Sequence, residues 1–267
     1  VASLVGSEMC IRDRPNGALF KTDKKGFLPT MMEELYNERV TYKKKMLSAQ
    51  QEFENTKDNK YKKLISRYNN IQMARKISLN SAYGAIGNQY FRYYDKAIAE
   101  GITKSGQLSI RWIENRLNKY LNNILKTDDD YVIASDTDSV YLTLDKLVTK
   151  TIKSDNALSK TINFLDKVAS ESIEPYITKS YDELKQYTNA FANKMFMKRE
   201  VIADKGIWVA KKRYILNVWN SEGVSYKEPK LKMMGIEAVK SSTPAICRQK
   251  INCLLYTSDA ADERNSG

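Results

Sequence analysis

The 267-residue chain contains no histidine and only three cysteines, Cys10, Cys247 and Cys253. The absence of histidine excludes Ser-His-Asp catalysis, histidine-ligated metals and imidazole acid–base chemistry. The cysteines show no Cys-x-x-Cys spacing, so the sequence supports neither a zinc site nor a disulfide framework. Any catalysis must therefore depend on carboxylates, lysine, arginine, tyrosine or a hard metal ion.

Long apolar runs are also missing, and none approaches the ~20 residues needed to cross a bilayer. The N-terminus lacks the charged and apolar segments of a signal peptide, so we expect a cytoplasmic protein with no membrane partner. Hydrophobic residues make up 42% of the chain and the formal net charge is +12. Because lysine and arginine are spread along the whole chain, this excess favours a polyanionic partner such as nucleic acid. A merely basic surface is the alternative.

The two ends of the chain are interpreted as non-native tails. Residues 1–14 and 253–267 resemble translated sequencing-adapter read-through, and we exclude both from the fold. Native frayed termini are the alternative. Without these tails, Cys247 is the one remaining cysteine, which is typical of a protein from a reducing compartment.

The hydrophobic pattern predicts an α+β fold: a helical hairpin plus an antiparallel sheet backed by helices. Four segments have helical spacing, namely 29–54, 60–83, 103–125 and 156–185. Five segments are predicted as strands, namely 131–134, 140–144, 195–203, 207–219 and 224–234. Turns are expected at 55–59, 205–206 and 221–223, and Pro175 is expected to kink or divide its helix.

Two aspartates occupy the predicted turn Ser135-Asp136-Thr137-Asp138-Ser139. Asp136 and Asp138 are one residue apart at a hairpin, so their carboxylates can converge on one hard cation. Such a turn alone is more often solvated, since Asp and Ser favour turns without any ligand. An EF-hand is excluded because Val140 and Tyr141 stand where that loop needs a ligand and a glycine. The metal-binding Asp-x-Asp of a glycosyltransferase stays open.

A second pattern lies on the predicted helix 60–83. Lys76, Asn80 and Tyr83 are spaced by four and three residues, which places them on one helix face. A cation, an amide and an aromatic ring suit an incoming nucleotide, whereas a solvated face is the alternative for any one of them. On the first helix, Arg39 and Lys43 are four residues apart and can reach one anion.

The spacing Lys76-x-x-x-Asn80-Ser-x-Tyr83-Gly84, followed by the hairpin Asp136-Thr-Asp138-Ser, resembles the paired signature of family-B DNA polymerases. Within that family, the nearest likeness is to the replicative polymerases of myovirus-type tailed phages. Further stretches are similar to the family in the same order, namely 36–43, 88–95, 195–200, 210–214, 229–237 and 240–244. The resemblance covers about residues 15–252. It implies template-directed addition of deoxynucleotides to a primer 3′ end by nucleotidyl transfer that uses two Mg²⁺ ions.

The resemblance also implies a role for each matching position. Asp138 looks like a catalytic metal ligand and Asp136 like its partner, with Glu200 as an accessory carboxylate behind them. The implied nucleotide-binding residues are Arg39, Lys43, Lys76, Asn80, Tyr83 and Gly84. The implied DNA-binding strand comprises Lys211, Lys212, Arg213 and Tyr214. Ala134-Ser135 depart from the family, in which a Tyr-Gly pair is common, and this puts one primer-strand contact in doubt.

The domain boundaries that follow from the resemblance are residues 15–28 for a truncated end of the N-terminal palm, 29–85 for the fingers and 86–252 for the palm. In the family, a second metal-ligating aspartate lies in an earlier palm strand, and nothing in residues 15–29 supplies it. We therefore expect the chain to be inactive alone.

The partners that the resemblance implies are primer–template DNA and dNTPs. A sliding clamp and other replisome proteins would bind through regions outside the chain. Two rival functions stay open. A non-catalytic nucleic-acid-binding module leaves Asp136 and Asp138 unexplained, and a sugar-nucleotide transferase leaves the Lys76 face and the basic charge unexplained.

Overall fold

The computed structural model describes residues 11–13, 15–17, 19–21, 25–152, 158–190 and 192–264. The chain divides into two compact units, Val1–Arg199 and Glu200–Gly267. Most of the predicted N-terminal tail, including residues 1–10, lies outside the described residues. The described residues of this tail form β1 (Ile11–Asp13), which pairs antiparallel with β2 (Leu19–Lys21) beyond the tail.

The first unit contains a helical hairpin, as predicted, formed by α1 (Phe27–Thr56) and α2 (Asn59–Ile86). Helix α1 ends where Lys57 adopts the left-handed conformation with φ 56°. Helix α2 then begins at once, because the Asp58 carboxylate accepts a hydrogen bond of 2.9 Å from the Lys60 backbone N–H. The hairpin seam is largely polar, since two of its buried residues are Glu54 and Gln72.

The core of the first unit forms along α3 (Lys96–Leu125), which the Asp95 side chain caps. This cap explains why the helix begins before residue 103, where the hydrophobic pattern placed its start. Ile113 and Leu117, both fully buried, occupy successive turns of one stripe. They pack against Val132, the buried residue of β3 (Val132–Asp136), and against the buried apolar residues of α6 (Glu174–Tyr187).

The remaining elements of the first unit are β4 (Ser139–Leu142), α4 (Asp145–Thr151) and α5 (Leu158–Val168). A π-helical turn, Ala169–Ile173, separates α5 from α6. Pro175 lies in the first turn of α6 and therefore divides the long helix, as predicted. Proline lacks a backbone N–H, so the regular hydrogen-bond ladder cannot continue through it.

Residues 195–200 were predicted to begin a strand, and that prediction is wrong. They form no regular element, and the strand β5 (Val201–Ala210) starts only after them. The backbone N–H of Arg199 donates to the Glu174 carboxylate at 2.9 Å instead of joining a sheet. Side-chain contacts with the helices therefore replace strand pairing in this segment.

The second unit is a three-stranded antiparallel sheet of β5, β6 (Arg213–Ser221) and β7 (Val224–Met234), followed by α7 (Ala245–Arg264). The turn predicted at 205–206 is wrong, because Gly206 lies inside β5 opposite Leu216. A Cβ atom at Gly206 would stand 2.8 Å from the Trp208 ring, so this glycine makes room for a side chain instead of a turn. The chain turns at Lys211-Lys212, where Lys212 has φ 62°.

The turn predicted at 221–223 is confirmed, with positive φ at Glu222 and Gly223. Helix α7 continues past residue 252 into the predicted C-terminal tail, whose last residues, 265–267, lie outside the described part of the chain. No helix among the described residues is long and apolar enough to cross a membrane. Both units together confirm the α+β fold class.

Candidate nucleotide and metal site

The two predicted metal ligands lie at the tip of the β3–β4 hairpin. Asp136 pairs with Ser139 across the sheet, so the turn consists of Thr137 and Asp138 alone. Thr137 has φ 55°, and the Asp138 backbone N–H donates to the Asp136 carbonyl at 2.6 Å. The Thr137 hydroxyl donates to the Asp136 carboxylate at 2.9 Å. Asp136 is thus half-buried and held in place, whereas the Asp138 carboxylate is exposed and accessible to a cation.

The base of this hairpin is fixed to α3 by Asn118. Its side-chain oxygen accepts hydrogen bonds from the backbone N–H groups of Tyr131 (2.9 Å) and Val132 (3.1 Å). Its amide nitrogen donates to the Asp130 carboxylate at 2.7 Å. These bonds set the direction in which β3 leaves the core toward Asp136. The sequence analysis missed Asn118, because an asparagine inside a helix carries no signal that it will capture a distant strand.

The predicted face of α2 is present as a continuous exposed surface. Lys76, Asn80, Tyr83 and Gly84 are all exposed. A Cβ atom at Gly84 would meet nothing within 4 Å, so the surface beside Tyr83 is open. Ile77 lies next to this face with 59% of its surface exposed. Together these side chains offer a cation, an amide, an aromatic ring and an apolar surface to one ligand.

The ring of Tyr83 is held by α3. Its hydroxyl lies 2.6 Å from the Thr103 hydroxyl, which itself donates to the Ala99 carbonyl at 3.0 Å. Because Thr103 uses its only hydroxyl proton on Ala99, Tyr83 is the donor in the bond between them. This bond fixes the position of an aromatic ring that is 45% exposed. Thr103 is a second residue that the sequence analysis missed.

The cations predicted on α1, Arg39 and Lys43, lie one turn apart and are half-buried. Helices α1 and α2 pack along the hairpin, and the Arg75 side chain on α2 forms an ion pair of 2.6 Å with Glu38 on α1. The structure therefore places the α1 cations and the Lys76 face on one helical hairpin. The hairpin and the Asp136 turn belong to the same unit.

The donor set for a metal ion is incomplete within the described residues. Carboxylate oxygens are the ligands that Mg²⁺ prefers, so Asp136 and Asp138 have suitable chemistry. However, no group of three or more His, Cys, Asp or Glu residues that could hold a metal occurs in the part of the chain that the structure describes. Within the described residues, the two aspartates are therefore a pair of suitable oxygen donors with no third potential ligand grouped with them.

The remaining predicted site residues belong to the second unit. The Glu200 carboxylate accepts a hydrogen bond of 3.0 Å from the Lys232 ammonium group. Lys211 and Lys212 occupy the exposed β5–β6 turn instead of a strand, which corrects the prediction for these two positions. Tyr214 lies on β6 and is buried, with only 5% of its surface exposed.

Arg213, predicted to contact DNA, already has an acidic partner. One of its terminal nitrogens, Nη2, donates to both carboxylate oxygens of Glu237 at 2.6 Å. The pKa of Glu237 is lowered, first by a hydrogen bond from its own backbone N–H and then by Lys240, with Arg213 adding to the effect. Glu237 therefore stays ionised at neutral pH and offsets much of the Arg213 charge.

Comparison with known proteins identifies the family to which the chain belongs. The sequence profile of DNA polymerase family B matches residues 5–171. The chain is 38% identical to the DNA-directed DNA polymerase of Escherichia phage RB69, over 86% of this chain and 31% of that protein. It is 34% identical to the DNA-directed DNA polymerase of Enterobacteria phage T4, over 89% of this chain and 32% of that protein. The DNA polymerase of Thermococcus gorgonarius is 28% identical over 87% of this chain. The chain thus spans about a third of the length of the two phage relatives.

Proposed function

Because the chain belongs to DNA polymerase family B, we propose that it supplies the fingers and the second part of the palm for template-directed DNA synthesis. In this reaction, deoxynucleotides are added from dNTPs to the 3′ end of a primer paired with a template. The observation that carries the proposal is the exposed α2 face of Lys76, Asn80, Tyr83 and Gly84, in the same unit as the aspartate turn. Neither rival function explains both features.

The α1–α2 hairpin would bind the incoming nucleotide. Lys76, Arg39 and Lys43 would neutralise the triphosphate, whose charge must be held while the α-phosphate reacts. The Tyr83 ring, fixed by Thr103, would lie under the nascent base pair, and the open surface at Gly84 leaves room for that pair. A correct pair has a constant shape, so a fixed ring and an open glycine can discriminate by fit.

Asp136 and Asp138 would hold Mg²⁺ through their carboxylate oxygens. When bound, such ions would supply the positive charge that favours deprotonation of the primer 3′-hydroxyl and stabilises the leaving pyrophosphate. Thr137 would keep one Asp136 oxygen oriented, and Asn118 would keep the whole hairpin at a constant distance from the core. The missing oxygen ligands would come from an earlier palm strand in a full-length polymerase.

The Lys76 assignment can be tested by replacing that side chain in a full-length polymerase that contains this segment. We expect Lys76→Ala to lower kcat/KM for nucleotide incorporation by about ten- to a hundred-fold, because one charge-assisted contact of roughly 1.5–3 kcal/mol is lost. Primer–template affinity should not change. Steady-state incorporation kinetics measure the first quantity and fluorescence anisotropy the second.

Lys63→Ala is the matched control, since Lys63 is another exposed lysine on α2 but lies outside the Lys76 face. It should leave incorporation unchanged. Normal nucleotide kinetics in Lys76→Ala would remove the basis of the proposed nucleotide site.

The β5–β6 turn would contact the duplex near the primer terminus. We expect Lys211→Ala together with Lys212→Ala to weaken duplex binding and to reduce the slope of log K against log salt by up to about 0.9 per lost phosphate contact. Arg213→Ala should change this slope less, because Glu237 already offsets its charge. Anisotropy titrations at several salt concentrations measure both variants.

A double variant of Lys205 and Lys227 serves as the control, because it removes the same charge from exposed positions of the same sheet. Equal slopes for the two double variants would contradict a specific role for the turn.

A further inference from the structure

Residues 193–199, which we call the strap, run irregularly between the helices of the first unit. The odd-numbered side chains attach to the helical core. The Asn193 amide donates to Asp182 on α6 at 2.9 Å, and the Ser109 hydroxyl on α3 donates to the Met195 sulfur at 3.2 Å. Met197 packs against the main apolar cluster, and the Arg199 guanidinium forms an ion pair with Asp166 on α5. The strap is therefore anchored to three helices of the core.

Two even-numbered side chains of the strap contact α1 instead. The Lys194 ammonium group lies 2.7 Å from a carboxylate oxygen of Glu33. The Phe196 ring meets the Tyr36 ring edge-on, with centroids 6.5 Å apart. Glu33 and Tyr36 are three residues apart and therefore lie on one face of α1. This alternation makes the strap a bridge between the helical core and the base of the hairpin.

On the α1 side of this bridge, the Glu33 carboxylate stays negatively charged. Hydrogen bonds and charges from Lys194, and after it from Lys25, lower the pKa of Glu33 to about 2. The Glu33 carboxylate is therefore ionised at every pH at which a polymerase would be assayed. On the other side, 55% of the Phe196 surface is exposed, so the contact with Tyr36 does not belong to a larger apolar core.

We propose that Lys194 and Phe196 anchor α1 by contacting Glu33 and Tyr36, and we call these two contacts the seat. The seat determines the position of Arg39 and Lys43 on the hairpin. These two cations lie one and two turns beyond Tyr36 on the same helix. The seat is a local attachment on α1, and the Tyr83–Thr103 hydrogen bond is a separate one on α2. Loss of the seat would leave α1 free to pivot while both helices stay folded. The consequence for nucleotide binding rests on the proposed function, but the seat itself does not.

The test uses the 267-residue chain without DNA or nucleotide. Spin labels are placed at two exposed positions of the first unit, Ser48 on α1 and Lys119 on α3, and the three cysteines of the chain are replaced by serine. Ser48 lies about 22 Å along α1 from Glu33, so a pivot of about 10° at the seat moves the label by about 4 Å. Pulsed electron paramagnetic resonance then gives the distribution of distances between the labels. We expect Lys194→Ala with Phe196→Ala to broaden that distribution at least about twofold, because the two arms of the bridge are lost together.

Lys198→Ala is the matched control. Lys198 is an exposed strap lysine that forms no hydrogen bond or ion pair within the described residues. It should leave the distance distribution unchanged. Exchanging the charges, with Glu33→Lys, Lys194→Glu and Lys25→Glu together, should give a narrow distribution when Phe196 is intact, because Lys25 is the second partner of Glu33. An unchanged distribution in the double alanine variant, or equal broadening in Lys198→Ala, would overturn the seat.

A second measurement separates the seat from the proposed function. In a full-length polymerase, the double alanine variant should raise KM for the incoming nucleotide about three- to ten-fold with little change in kcat, because the competent hairpin position is less populated. A broadened distance distribution with an unchanged KM would overturn the positioning of Arg39 and Lys43 and leave the seat standing. Normal kinetics in Lys76→Ala would instead overturn the nucleotide site itself.

Discussion

Purified as the 267-residue chain, the protein is expected to show no templated primer extension with dNTPs and Mg²⁺. Two metal ions beside a triphosphate need carboxylates on opposite sides of the site. Asp136 and Asp138 both lie at the tip of one hairpin, and the described residues contain no third carboxylate grouped with them. Activity should therefore lie on the order of 10³-fold or more below that of a complete family-B polymerase. A gel-based primer-extension assay measures this directly.

The same preparation should still bind duplex DNA, because the chain carries a formal net charge of +12. An anisotropy measurement quantifies that binding, and a far-UV circular dichroism spectrum of the same preparation shows whether the inactive protein is folded. Extension by the chain that disappears in Asp138→Asn would prove that the site is complete without further ligands. Extension that survives Asp138→Asn would point to a contaminating polymerase, so the variant is an essential control.

Replacing Gly235 with alanine is expected to destabilise the second unit by about 3 kcal/mol. Gly235 has φ 62°, a conformation that costs an L-residue about 1–2 kcal/mol. In addition, the new Cβ would stand 2.2 Å from the Lys212 carbonyl oxygen, which is backbone and cannot rotate away. Displacing it adds about 1–3 kcal/mol and should move the Lys211-Lys212 turn. Urea unfolding followed by tryptophan fluorescence suits this test, since Trp208 and Trp219 both lie in the second unit.

Gly223→Ala separates the two causes. Gly223 has φ 89°, but a Cβ there would meet nothing within 4 Å. This variant should therefore lose only the conformational part, about 1–2 kcal/mol. If both variants lost the same free energy of unfolding, the close approach to Lys212 would carry no cost. Duplex binding should weaken in Gly235→Ala and not in Gly223→Ala, because only the first variant displaces the turn.

Much of the fold could be predicted because its signals are local. The α1–α2 hairpin follows from helical spacing and from a short polar turn in which Asp58 caps the second helix. The β3–β4 hairpin follows from two apolar runs around a turn rich in Asp and Ser. The turn at 205–206 was predicted wrongly because glycine is found both in turns and in strands where a neighbouring side chain needs the space of a Cβ atom. At Gly206 it makes room for the Leu216 side chain on the partner strand, and that need appears only when the strands are paired.

The sequence by itself determined the family, the α+β class and the spacing of Lys76, Asn80 and Tyr83 on one helix face. Each of these depends on residues that are close along the chain, where helix and strand geometry fixes which side chains are neighbours. The functional roles of those residues stay predictions. Only the tertiary structure showed that Asn118 accepts a hydrogen bond from the residue before β3 and that Glu237 pairs with Arg213. It also showed that Lys194 contacts Glu33, which is 161 residues away in the sequence. These contacts join residues that are far apart along the chain, so the local spacing of residues in the sequence does not predict them.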